Sequence, residues 1–227
     1  MKRASLLIII TLTAAIAASA IPAAAQQSAR AVDRYNRVAR GANIDEWHKR
    51  LFDPDPSVRM EAVESLGEDG TLDSVKPLLD ATSDADPRVR SMAIDYLGQI
   101  GSPQATQVLT QYLFLSDTDK NSKQHVLVAL GRIKDPTSVR ALTAFTENTD
   151  DEKLRCSAIH ALGEIGGTKA LAIVEPYSEE PFDAHVRRIA NDAVRKINQQ
   201  LAAAPKNKQP SIIELERQFA PPPQQRR

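Results

Sequence analysis

Cys156 and His160 stand four residues apart, which puts a thiol and an imidazole on one face of any helix that carries them. That spacing lets both reach a single metal ion, and His125 upstream is the third ligand such a site would need. Two helix-borne ligands with a distant third make a sparse set, because a closed structural zinc site takes four. Ser157 and His160, three apart, are within hydrogen-bonding reach on a helix, but a lone helix offers no oxyanion hole to a serine nucleophile. Gly-x-Ser-x-Gly, His-Glu-x-x-His and a Gly-rich phosphate loop after a strand are all missing from the chain. The sequence therefore predicts no catalytic residues, no resident cofactor and a non-enzymatic role. Metal- or thiol-dependent activity at Cys156, His160 and His125 is the alternative.

The elements that position these residues repeat. Val58–Gly67, Val89–Gly98, Ser122–Gly131 and Leu154–Gly163 align with one another, and their glycines at 67, 98, 131 and 163 are 31, 33 and 32 residues apart. A fifth copy begins at Val186-Arg187 and has Arg195 in the glycine position. A period near 32 residues denotes an array of supersecondary units. Counting from the first residue of each copy, apolar residues fall at offsets 0, 4, 5 and 8, which is one face of a helix. Asp-rich turns precede the copies at Asp55-Pro56, Asp86-Pro87, Asp150-Asp151 and Asp183; Asp caps a helix N-terminus and Pro fits its first position. The terminal glycine suits a left-handed C-terminal cap. Second helices are predicted over Leu72–Ala81, Pro103–Leu115, Pro136–Phe145 and Thr168–Tyr177, with a first helix at Ile44–Phe52. Aromatic residues at only 4% fit helices packed through small side chains better than a β sandwich.

Asp-Pro-x-Val-Arg, an Ala…Leu-Gly helix end and a Pro-started second helix resemble the HEAT repeat family, in the short subtype also found in phycobilin lyase subunits. The resemblance spans roughly residues 44–200 and implies an all-α, short right-handed α-solenoid of about five antiparallel helix pairs. It further implies that the Val-Arg helix lines the concave side, with each Arg pairing to an Asp of a neighbouring turn. The matching positions are Arg59, Arg90, Lys123, Arg155 and Arg187, read as a structural ladder. Lys123 and Ser122 depart from the pattern and predict a looser or bent third repeat. A lyase-like role would mean bilin transfer or chaperoning, which an export signal argues against.

Offsets 2, 3 and 6 of these helices are expected to point outward. They carry Met60, Glu61 and Glu64; Ser91, Met92 and Asp95; Gln124, His125 and Val128; Cys156, Ser157 and His160; Arg188, Ile189 and Asp192. The binding surface expected from them comprises Met60, Glu61, Glu64, Met92, Asp95, Gln124, His125, His160, Arg188 and Asp192. Mixed carboxylates and soft apolar groups suit a protein or peptide partner. Between residues 53 and 201 the chain has 16 Lys and Arg against 24 Asp and Glu, a net −8 that argues against nucleic acid.

Lys2 and Arg3, the apolar run Leu6–Ala18 and Ala23-Ala24-Ala25 predict an export signal over residues 1–25, cleaved near Ala25. The run is short for a membrane span, so no membrane insertion is expected after cleavage, and the compartment is periplasmic or secreted. Removing 1–25 leaves 27 basic against 29 acidic residues, net −2. With Cys156 alone, no internal disulfide can form. Residues 26–43 are expected to form an amphipathic capping helix, with Arg30, Arg34 and Arg37 opposite Val32, Tyr35 and Val38. The repeats fill 44–201. In the Pro-rich tail 202–227, Ile212, Leu215 and Phe219 share one helix face over 211–219, and Ser211 with Glu214 makes a capping box. Such a segment can dock in a groove of this chain or of a partner.

Overall fold

The computed structural model describes residue 41 and residues 43–116 and 118–203. The predicted export signal, most of the predicted capping helix and the tail motif at Ile212, Leu215 and Phe219 lie outside those residues. The described residues hold ten α-helices and no strand. Helix α1 covers residues 43–50. It is followed by α2 (Pro56–Asp69), α3 (Val75–Ala81), α4 (Pro87–Ile100) and α5 (Thr106–Tyr112). Then come α6 (Lys120–Ile133), α7 (Val139–Asn148), α8 (Glu152–Ile165), α9 (Gly167–Val174) and α10 (Ala184–Ala203). They pack in sequential pairs, the all-α repeat array that the 32-residue period predicts. The chain divides into two compact units at Ile100/Gly101. No helix among the described residues is long and apolar enough to cross a membrane.

Each first helix begins where an aspartate replaces a missing hydrogen bond. Asp55 accepts from the Ser57 amide at 2.8 Å, Asp119 from Ser122 at 2.9 Å, Asp151 from Leu154 at 3.1 Å and Asp183 from His185 at 2.7 Å. Such caps contribute about 1 kcal/mol each. Asp86 accepts from the Arg88 amide at 2.8 Å and from its guanidinium at 2.7 Å, and that side-chain bond above all pulls its pKa down to about 2. Offsets 4, 5 and 8 form the core. Ala62, Val63, Leu66, Ala93, Ile94, Leu97, Val126, Leu127, Leu130, Ala158, Ile159 and Leu162 are completely buried.

Three of the second helices open with a 3-10 turn instead of running helical from the start: Leu72–Ser74, Pro103–Ala105 and Pro136–Ser138. In the latter two, Ser102 and Asp135 accept the amide two residues on, across a proline, which tightens the first turn. The predicted Thr168–Tyr177 helix is α9 followed by a 3-10 turn over Glu175–Ser178.

The repeat glycines are not caps. Gly67, Gly131 and Gly163 lie inside helices, and the left-handed terminators are Gly70 (φ 61°) and Lys134 (φ 56°). What the repeat glycines provide is close approach. A Cβ on Gly163 would lie 2.7 Å from Ala193 Cβ and 3.0 Å from its Cα. One on Gly131 would lie 3.1 Å from Ala161 Cα, and one on Gly67 would enter the Tyr96 ring at 2.2 Å. At Gly67, Gly131 and Gly163 the glycine at offset 9 therefore receives offset 7 of the next copy. Arg195, at the same place in α10, is exposed.

Candidate functional site

The ladder positions act mainly on their own turns. Arg59 holds Asp84 through two bonds of 2.7 and 2.8 Å, a forked pair in which both side chains are nearly buried. The carboxylate raises the guanidinium pKa further above its ordinary value. Arg59 also donates to the Asp53 carbonyl, Arg90 to the Asp84 carbonyl and Arg155 to the Thr149 carbonyl. In each case the acceptor is six residues back, so the guanidinium ties the inter-helix turn to the helix it introduces. Arg187 instead meets Glu180 at 2.6 Å. Lys123 lacks the fork and lines a 350 Å³ pocket with Leu113, Phe114, Phe145 and Leu154.

The outward row is only partly outward. Glu61, Glu64, Gln124, Val128, His160, Arg188 and Asp192 are exposed, whereas Met60, Ser91, Met92, Asp95, His125, Ser157 and Ile189 are half-buried. Glu61 pairs with Arg50 at 2.5 Å and Asp192 with Arg195 at 2.7 Å. Cys156 departs from the expectation. It is buried, and burial, followed by the charge of Glu152, pushes its thiol pKa up. Offset 2 is thus buried at Cys156 in α8 but exposed at Gln124 in α6. Among the described residues no three His, Cys, Asp or Glu side chains are grouped to hold a metal, so Cys156, His160 and His125 are not brought together as a ligand set. Ser157 Oγ donates to the Lys153 carbonyl at 3.1 Å, and His160 Nε2 lies 3.7 Å from Glu164.

In the C-terminal unit, α6, α8 and α10 pack side by side, and charged groups flank their glycine contacts. At one end Lys120 meets Asp151 at 2.8 Å, a hydrogen bond that holds the Asp151 carboxyl below the usual carboxylate range. At the other end Glu164 on α8 takes Lys196 of α10 on one side and Lys134, which ends α6, on the other. Burial alone would raise the Glu164 pKa. The Lys196 hydrogen bond and the charges of Lys196, His160 and Lys134 outweigh it and lower the value.

The second helices leave a groove that the sequence reading did not anticipate. It has a volume of about 720 Å³ and runs between α7 and α9. Val139, Thr143 and Ala144 line one wall and Ala172 and Ile173 the other, with Arg140, Glu147 and Lys169 among the charged lining residues. The short side chains at 143, 144 and 172 leave the space between the facing walls unfilled.

Comparison with known proteins places this geometry. HEAT repeats match residues 44–115 and 112–195. One chain of the complex of CpcE and CpcF of phycocyanin lyase from Nostoc sp. PCC7120 superposes with a TM-score of 0.57 at 23% identity, over 70% of this chain and 66% of that one. Deoxyhypusine hydroxylase of Drosophila pseudoobscura pseudoobscura is 34% identical over 100 residues, 42% of this chain and 33% of the relative. The chain thus spans about a third of that curated relative.

Proposed function

This chain belongs to the HEAT repeat family, and we propose that it works as an exported protein-binding scaffold and not as an enzyme. The observation that supports this is the platform formed by α6, α8 and α10. Two glycine contacts and a two-sided carboxylate lock the three helices together, while Gln124, Val128, His160, Arg188 and Asp192 remain exposed. A partner meeting such a surface has little ordering entropy to overcome. The partner class is a protein or peptide, because the repeat body is net negative and the row mixes charge with Met, Val and Ile. The phycocyanin lyase relative is a complex of two different proteins, and a protein partner is what we propose here. Metal or thiol chemistry has less support, with Cys156 buried and apart from any triad of ligands.

Residues 1–25 are proposed to direct export and to be removed, giving a periplasmic or secreted protein. N-terminal sequencing of the protein from an envelope fraction tests this, and Met1 retained on the isolated protein would contradict it. The scaffold reading is tested by crosslinked capture with the native chain and with a variant replacing Gln124, Val128, His160 and Arg188 together, all exposed on the platform. Loss of one dominant partner with helicity unchanged is the expected result. Equal capture by both chains would rule out this face.

A further inference from the structure

We propose that the groove between α7 and α9 is the docking site of this chain's own segment Ser211–Phe219, held in cis against the C-terminal unit. The groove asks for a short amphipathic segment: its walls are Val139, Thr143, Ala144, Ala172 and Ile173. Its charged lining residues are two cations, Arg140 and Lys169, and one carboxylate, Glu147. Arg140 and Lys169 are exposed, and neither has an ion-pair partner among the described residues. The segment offers the complement. On a helix Ile212, Leu215 and Phe219 form one apolar stripe, and Glu216 flanks it, one step of about 100° past Leu215. Ser211 and Glu214 cap such a helix at its start.

The path of the chain makes the site reachable. The last turn of α10 sits over the start of α9: a Cβ on Gly166 would fall 1.9 Å from Gln200 Oε1, and Gln200 donates to the Glu164 carbonyl at 3.4 Å. Helix α9, which begins there, supplies Lys169, Ala172 and Ile173 to the groove. The chain thus leaves α10 one helix away from the site. Packed helices lie about 8–10 Å apart. Eight residues from Ala203 to Ser211 reach at most about 26–29 Å when extended. That exceeds one or two interhelical spacings, so crossing α9 needs no stretching. A second copy would have to supply the same segment by association and would lose the advantage of high local concentration.

Cysteine pairs in the full chain with Cys156→Ser test the proposal. With Thr143→Cys and Leu215→Cys, mild oxidation should form an intrachain disulfide at least tenfold faster than with Arg188→Cys and Leu215→Cys, which probes the exposed row of α10. Glu216→Lys should slow the first reaction severalfold, and adding Lys169→Glu or Arg140→Glu should restore it. Equal rates at positions 143 and 188 would overturn docking in the groove. Disulfide-linked dimers in place of the intrachain product would assign the segment to a second copy and overturn the cis arrangement. A second measurement leaves Cys156 in place. Leu215→Glu with Phe219→Glu should speed hydrogen exchange across Gly167–Val174 severalfold, and unchanged exchange would overturn the proposal.

Discussion

Within the C-terminal unit, the first helices and the second helices solve the same packing problem in opposite ways. Along α6, α8 and α10 the repeats meet at backbone distance, glycine against alanine, with Glu164 reaching both neighbours. Between α7 and α9 short side chains face each other across open space, and the result is a groove of about 720 Å³. Small residues thus have two effects. Where a glycine faces a small residue on the neighbouring helix, they close a seam and stiffen it. Where alanine and threonine stand without a partner close enough to fill the gap, they leave a cleft.

The contrast breaks most severely at Gly163. Gly163→Leu drives a branched side chain into the Ala193 backbone and should cost about 3 kcal/mol or more, read as a lowered denaturation midpoint with unchanged slope. A smaller loss is expected in acid. Asp86, Asp151 and Glu164 all titrate below their ordinary values in the folded chain. Their stabilisation is therefore complete above the ordinary carboxylate range. It is lost as the pH falls through the lowered values, toward about 2 for Asp86. Thermal melts should be flat near neutrality and fall below about pH 4, less steeply for Glu164→Gln. Gly131→Ala sharpens the comparison. Its Cβ would lie 3.1 Å from Ala161 Cα, a tight contact, while alanine gains about 1 kcal/mol of helix propensity. Near-cancellation is expected, with a stability change within about 1 kcal/mol. On the other seam, Ala172→Leu fills open space and should change stability by no more than about 0.5 kcal/mol, while slowing the Thr143–Leu215 crosslink. A loss at Ala172 comparable to that at Gly163 would mean that the two seams are not different in kind.

The helices and their core were legible because burial imposes a period. Ala62, Val63 and Leu66 recur as Ala158, Ile159 and Leu162, and each set is buried. The aspartate starts were legible for the same local reason, and the structure adds Asp119 to them. The role of the glycines was not legible from one copy. A glycine after a run of helix looks the same whether it ends the helix or receives a neighbour. The deciding residue lies a repeat away, in Ala161 or Ala193. Cys156 was placed on the outside by counting around an isolated helix. In the folded array that position is buried. The groove was hidden for a related reason, since the gap between α7 and α9 depends on two helices and is written in neither.

Lys134 ends α6 with φ 56°, a conformation that side chains other than glycine and asparagine rarely adopt. Glycine would relax that backbone, yet its lost ammonium would leave Glu164 with Lys196 as its one partner from a neighbouring helix, beside His160 of its own helix. The position therefore trades local comfort for a tie between neighbours. In a repeat array such trades set how far a disturbance travels. Loosening one end of α6 would be felt by α8 through a single carboxylate, and by α10 through that same carboxylate's other oxygen. Three helices would then respond to one side chain as a mechanical unit, and the platform they form would yield as a whole, not helix by helix.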